Sequence, residues 1–316
     1  MKDWQSEALD LHQLGISGRE IARRLGKGKT TVNDLIARLY ADIEKPGIIK
    51  FGNTETKSKD GPRILVYDIE TAPIIAHVWK LWDNNVGLNQ IENDWHIMSF
   101  AAKWLGEDEI FYYDQRDAVD PEDDSYILGH LWGLLNKADF VIGHNVKKFD
   151  TKKVNARFIL NGFPKPTPYR QIDTMTIARD TFGFTSNKLA YLSAALCPEQ
   201  VKNKHDKYPG HEMWVECMKG NRDAWETMEV YNKDDILATE AVYNKLCSWD
   251  SKLPNFDVYV DGILDMTKWV HEGEFAYSNM AKYKLYRNIE TGQVRRSRFN
   301  ELSKEKKQSL LANVGY

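Results

Sequence analysis

The spacing of apolar positions changes several times along the chain, and each change marks a boundary. Ile21, Ala22 and Leu25 recur at helical spacing behind Ser17 and Glu20, a capping-box start, which predicts a helix over about 17–25. Gly26 and Gly28 interrupt it, and Val32, Leu35, Ile36 and Leu39 then repeat the stripe to near Tyr40. From about 44 to 62 the run EKPGIIKFGNTETKSKDGP has no period and is rich in Pro, Gly, Lys, Ser and Thr, as a linker is. Beyond it the pattern predicts a strand at 63–69, apolar segments at 97–104 and 109–113, a helix near 122–137 and a strand at 139–143. A helix at 150–161, an extended piece at 170–173 and helices near 174–182, 188–196 and 221–247 follow. Such an order predicts an α/β class with a mixed sheet flanked by helices. The expected domains are 1–44, a small all-α unit; 45–62, a linker; 63–250, the α/β domain; and 251–316, a small basic C-terminal extension. No internal repeat is visible.

Composition sets the bounds. The 316 residues are 42% hydrophobic, enough to bury a sizeable core. No apolar run approaches the roughly eighteen residues of a membrane span, and MKDWQSEALD lacks the layout of a signal peptide, so a cytoplasmic protein without membrane contact is expected. Cys197, Cys217 and Cys247 form no CxxC pair and read as reduced structural thiols. With a net charge of −3, any nucleic-acid binding must rely on local basic patches, and these lie at both ends.

Candidate chemistry begins in ILVYDIETAP, where a strand-like apolar run carries Asp68 and Glu70. Residues two apart on a strand share a face, so the two carboxylates stand side by side. Burying them is costly unless a metal lies between them or they sit at the strand's open end. FVIGHNVKKFD puts Asp150 just past a buried strand at a helix start, and YNKDD puts Tyr231 and Asp235 one helical turn apart. Four acids in this order suit a centre of two divalent ions that clamps the attacking and leaving oxygens of an in-line displacement. Carboxylates are the hard ligands that Mg²⁺ or Mn²⁺ takes.

Through YDIETA, GHNVKKFD, IDTMTIARDTFGF, SNKLAYLSAAL and YNKDD, residues 63–249 resemble the DEDDy branch of the DnaQ-like 3′–5′ exonucleases. These belong to the RNase H-like superfamily, and the likeness is to exonuclease domains of the family-B-polymerase type. The resemblance implies an RNase H-like mixed sheet and an enzyme that hydrolyses phosphodiesters at a DNA 3′ end, single-stranded there. It further implies two bound ions, Mg²⁺ or Mn²⁺, held by Asp68, Glu70, Asp150 and Asp235, with Tyr231 positioning the attacking water. Asn145 and Phe149 match family positions near the terminal nucleotide. Residues 17–40 in turn resemble a DNA-binding helix-turn-helix, with Lys27 standing where an apolar residue is more usual; Lys29, Thr30, Asn33 and Asp34 would then face the groove.

Several neighbours read as structural. His144 is expected to be a structural histidine, Asp234 a solvated neighbour of Asp235, and Asn187 or Lys188 a helix cap. The extension has the look of the second half of a zinc ribbon, yet Asn288 and Thr291 stand where thiolates would be needed, which argues against zinc. Its basic residues, interleaved with Tyr283, Tyr286 and Phe299, suit strand binding, against a solvated hairpin and closing helix. Two other functions fit parts of the pattern. A transposase- or resolvase-like RNase H-fold endonuclease would offer one acid on the first strand where this chain offers two. A DNA-binding regulator with an inactive nuclease fold would not need all five site residues.

Overall fold

The computed structural model describes residues 4, 5, 7, 8, 11, 18–28, 30–33, 35, 61–82, 84–200, 207–278 and 280–311. Helix α1 (Gly18–Arg24) ends at Gly26, whose left-handed φ of 59° lets the Lys27 N–H return to the Ala22 carbonyl at 2.9 Å. Ala8, Ile21, Ala22 and Val32 form a small core of their own, with Trp4, Leu11, Leu25 and Leu35 packed against it. Lys27 lies over the Trp4 ring, 5.5 Å from its centroid. Ser17, Lys29, Asp34, Ile36, Leu39 and residues 45–60 of the expected linker fall outside the described residues.

The central sheet is built from β1 (Ile64–Thr71), β4 (Ile97–Trp104), β5 (Ile110–Asp114), β6 (Phe140–Gly143) and β7 (Arg170–Asp173), in the order β5-β4-β1-β6-β7. A two-stranded ribbon, β2 (Ile75–Ala76) and β3 (Ile91–Asn93), stands apart from it. Pairing of β1 with β4 and of β4 with β5 is antiparallel, and β1 with β6 and β6 with β7 parallel, so the sheet is mixed as expected. Alternation along β1 sends Leu65, Tyr67 and Ile69 to one face and Ile64 and Val66 to the other. The first face packs on α2 (Ser125–Lys137) and α3 (Asp150–Leu160). The second packs on α4 (Thr174–Thr181), α5 (Leu189–Leu196) and the 25-residue α7 (Arg222–Leu246). Strand β4 is buried throughout, so its eight residues show no polar solvent face, and its two polar side chains, Ser99 and Lys103, are both paired with α7.

Helix α6 and the capping of α5 differ from the sequence reading, and the C-terminal extension gains its detail. Helix α6 (Glu212–Met218) was not expected; Met213 and Cys217 on it pack with Ala72, Met98, Trp225 and Met228 over one end of the sheet. Residues 251–311 hold a second sheet, β8 (Trp269–Val270), β9 (Phe275–Ser278), β10 (Ala281–Asn288) and β11 (Val294–Arg296), ahead of α8 (Lys304–Ser309). Lys188 occupies the N-cap of α5, but neither it nor Asn187 caps with its side chain. No described helix is long and apolar enough to cross a membrane.

Two buried ion pairs tie helices to the sheet. Asp124, fully buried, takes Arg157 in a two-pronged pair at 2.7 Å each and also accepts from the Ile97 N–H at 2.9 Å and Asn161 at 3.0 Å. Lys103 on β4 pairs with Glu240 on α7, whose other oxygen accepts from the Gly106 N–H at 2.9 Å. Asp124→Ala removes the partner of a nearly buried guanidinium, so urea unfolding should show a loss of about 3–5 kcal/mol. Lys268→Ala, which breaks the exposed pair with Glu290, should cost no more than about 1 kcal/mol.

Candidate metal centre

Asp68 and Glu70 sit on the face of β1 that looks toward α7, because they are two positions apart and Ile69 between them turns the other way into the core. The β1–β4 ladder shifts register between Glu70 and Thr71, which bends the strand just past the second carboxylate. Asp235 comes from α7, and one carboxylate oxygen from each of Asp68, Glu70 and Asp235 lies within 4.8 Å of the other two. That spacing is within reach of a single cation with oxygen ligands at roughly 2.0–2.6 Å.

Asp150 occupies a different place. It opens α3 with its side chain buried, and its Oδ1 accepts the Ile69 N–H at 3.2 Å. The pairing of β1 with β6 stops at Val66–Ile142, so this N–H lies beyond the parallel ladder and the carboxylate takes it instead. Asp150 thus touches the residue between Asp68 and Glu70 without joining their close trio. Burial pushes its carboxyl up to about 7, with the Asp173 charge adding to the rise and the N–H groups of Asp150 and Ile69 opposing it.

The loop from β6 to Asp150 is tightly specified. A Cβ at Gly143 would stand 2.7 Å from the Val146 Cβ and 3.1 Å from the Tyr67 carbonyl, so only glycine lets β6 turn this close to β1. Asn145 has φ 70°, left-handed without being glycine. Asp173, at the end of β7, holds the loop by accepting the N–H groups of Asn145 at 3.1 Å and Lys147 at 3.2 Å while capping α4 through Thr176. His144 bridges Thr174 Oγ1 and the Asn187 carbonyl, each at 2.9 Å, a structural clamp. Phe149, partly exposed, stands at the N-cap of α3.

Around the trio, side chains the sequence reading passed over fix the carboxylates. Asn232, wholly buried on α7, donates to Asp68 Oδ2 at 2.8 Å and accepts from Ser99 at 3.3 Å. Trp214 on α6 donates its indole N–H to Glu70 Oε2 at 2.9 Å and meets the Tyr231 ring edge-on, with centroids 6.0 Å apart. Asn232 left a signal: with Met228 and Ile236 it forms a stripe of spacing four, where a polar residue stands out. Asp173 was readable as a cap ahead of α4. Trp214 left none, since α6 itself was not foreseen. Thr30 and Asn33 are exposed in the N-terminal helices, and Lys29 lies outside the described residues.

The RNase H superfamily model (RNase_H_2) matches residues 76–247, a stretch that begins after β1 and includes Asp150, Tyr231 and Asp235. No curated protein matches the chain. Among solved structures, the family B DNA polymerase from the hyperthermophilic archaeon Pyrobaculum calidifontis is similar over 59% of this chain, with a TM-score of 0.42 and 15% identity. The match covers 25% of that polymerase, so the matched part of this chain spans about a quarter of its length. With its mixed sheet, flanking helices and acidic trio, the chain belongs to the RNase H superfamily.

Proposed function

We propose that the chain is a 3′–5′ exodeoxyribonuclease of the DEDDy kind, which removes nucleotides from the 3′ end of a single DNA strand with the help of two Mg²⁺ or Mn²⁺ ions. The observation that carries this reading is the convergence of Asp68, Glu70 and Asp235 within 4.8 Å. An all-oxygen, all-carboxylate donor set suits hard divalent cations such as Mg²⁺ and Mn²⁺. In this reading Asp68, Glu70 and Asp235 hold the ions, and Asp150 joins them once it gives up its proton. When bound, such ions polarise the phosphoryl oxygens and lower the pKa of attacking water.

The chain's own groups do the rest. Asn232 and Trp214 fix the carboxylates of Asp68 and Glu70, so little reorganisation is needed when substrate arrives. The Tyr231 phenol orients the attacking water, its ring steadied by Trp214. Asn145 and Phe149, on the loop that Asp173 holds, border the terminal nucleotide. Lys29, Thr30 and Asn33 hold adjoining duplex in the manner of a helix-turn-helix.

The direct test offers 5′-labelled single-stranded DNA, duplex DNA and RNA to the protein in Mg²⁺ or Mn²⁺. A ladder shortening one nucleotide at a time from the 3′ end of DNA is expected. Internal cuts that release oligonucleotides would place the chain with the endonucleases of this fold instead.

Tyr231→Phe keeps the ring and its packing, so stability should change by less than about 1 kcal/mol while single-turnover cleavage falls roughly ten- to a thousandfold. Asp235→Asn should fall further, because it removes a charge that holds metal rather than a group that aims water. Cleavage by Tyr231→Phe at the wild-type rate would reduce the tyrosine to a packing residue.

Asp150 sets the pH dependence. Its folded pKa, about 7, lies above the ordinary carboxylate value, so the folded chain keeps a proton that the unfolded chain loses. Metal-free stability should therefore fall as pH rises from about 4 to 7 and level off above. A cation taken up by Asp150 must displace that proton. Calorimetric Mg²⁺ titrations in buffers of differing ionisation enthalpy should show close to one proton released near pH 6 and almost none at pH 8. No release at either pH would leave Asp150 outside the ligand set.

A further inference from the structure

The C-terminal sheet carries a feature the metal centre does not need. Cross-strand partners on an antiparallel sheet share a face. The pairs Lys282–Tyr277, Lys284–Phe275, Tyr286–Arg295 and Asn288–Trp269 therefore put one set of side chains on one side of β10, since 282, 284, 286 and 288 alternate with residues facing the other way. The contacts agree. Lys282 Nζ lies 3.8 Å from the Phe275 ring centroid and 5.8 Å from that of Tyr277, and the Arg295 guanidinium lies 5.2 Å from that of Trp269. Aromatic rings and cations thus alternate along the strand: Tyr277, Lys282, Phe275, Lys284, Tyr286, Arg295, Trp269.

The four buried clusters of the described residues include nothing from 269–296, and β10 is only half-buried along most of its length. Tyr277 is 73% exposed. Arg295 is paired with Asp257, but among the described residues no carboxylate reaches Lys282 within ion-pair distance. Between Lys282 and Lys307 the sequence holds nine basic and three acidic residues, in a chain whose net charge is −3.

We propose that this face binds single-stranded nucleic acid, its bases stacked on Tyr277 and the rings beyond it and its phosphates met by Lys282 and the other cations of the extension. Flat rings accept any base, and interleaved cations follow a backbone, so the expected binding is sequence-tolerant and salt-dependent. The eight residues of β10 span roughly 24 Å, room for about four nucleotides. A duplex hides the faces of its bases and should bind less well. An acidic peptide would satisfy the cations but leave the rings idle.

The test measures anisotropy of fluorescein-labelled oligothymidylate of about twenty residues with the full chain in EDTA, where no strand is cut. Tyr277→Ala, a change at an exposed ring, should weaken binding roughly five- to a hundredfold. Lys282→Gln should lower the slope of log affinity against log salt by about 0.7. Wild-type affinity and slope in both variants would overturn the proposal, as would polyglutamate competing as well as oligothymidylate charge for charge. Hydrolysis in Mg²⁺ is read separately: strand binding lost in Tyr277→Ala but present in a wild type that cuts nothing would support this surface while refuting the nuclease reading.

Discussion

Everything around the candidate centre answers to one electrostatic constraint, the mutual repulsion of three carboxylates whose oxygens lie within 4.8 Å. Two unit charges about 4 Å apart repel by about 4 kcal/mol at an effective dielectric constant near 20, so an arrangement held only by flexible side chains would spread apart. Here it is held by rigid elements. Two acids are fixed by the pleat of a central strand and the third by a 25-residue helix. That helix is tied to β4 twice on one face, through Ser99 and Asn232 at one point and through Lys103 and Glu240 at the other. Four strand residues rise roughly 14 Å and eight helical residues about 12 Å, so a helix running along the strand can make both ties at once. The first tie reaches Asp68 through Asn232, and the second keeps the helix from sliding.

Much of this was legible because strand and helix leave different periods. The predicted segments 97–104, 139–143, 150–161 and 170–173 fall within a residue of β4, β6, α3 and β7. The pairing of Asp68 with Glu70 followed from alternation alone, whereas the approach of Asp235 was implied by the resemblance that YNKDD carries. Asp150 was foreseen at a helix start. Its direct bond to the Ile69 N–H was not, since that bond depends on where the β1–β6 pairing stops, and no local pattern encodes it. Trp214 was hidden for a related reason. Its helix is seven residues long and is placed by Met213 and Cys217 packing into the sheet's end, a tertiary effect rather than a propensity.

The C-terminal sheet shows how a turn is made without the thiolates that the sequence comparison sought. Asn288 Oδ1 accepts the N–H groups of Glu290 at 2.9 Å and Thr291 at 3.0 Å, and Gly292 takes φ 70° to close the turn into β11. An amide oxygen gathering successive N–H groups supplies locally what a bound sulfur otherwise does. The sheet gains order from this turn and from ring–cation contacts rather than from a buried core. Its aromatic faces are thereby left partly open.

Charge is consequently divided along the chain. An acidic centre attracts divalent cations but repels the polyanion that a nuclease must bring to it, and a net charge of −3 supplies no general attraction to offset that. Attraction must therefore come from local clusters of cations, each acting within the roughly 8–10 Å screening distance of physiological salt. The excess of six basic residues between Lys282 and Lys307 meets that condition. Phosphate contacts close to Asp68 and Asp235 would depend on bound metal, whereas contacts on β10 would not. On the proposed reading a strand would be held before the centre is charged with ions, and the two steps would respond oppositely to added Mg²⁺: occupancy of the centre would rise while competition for the phosphates weakened the grip of the extension.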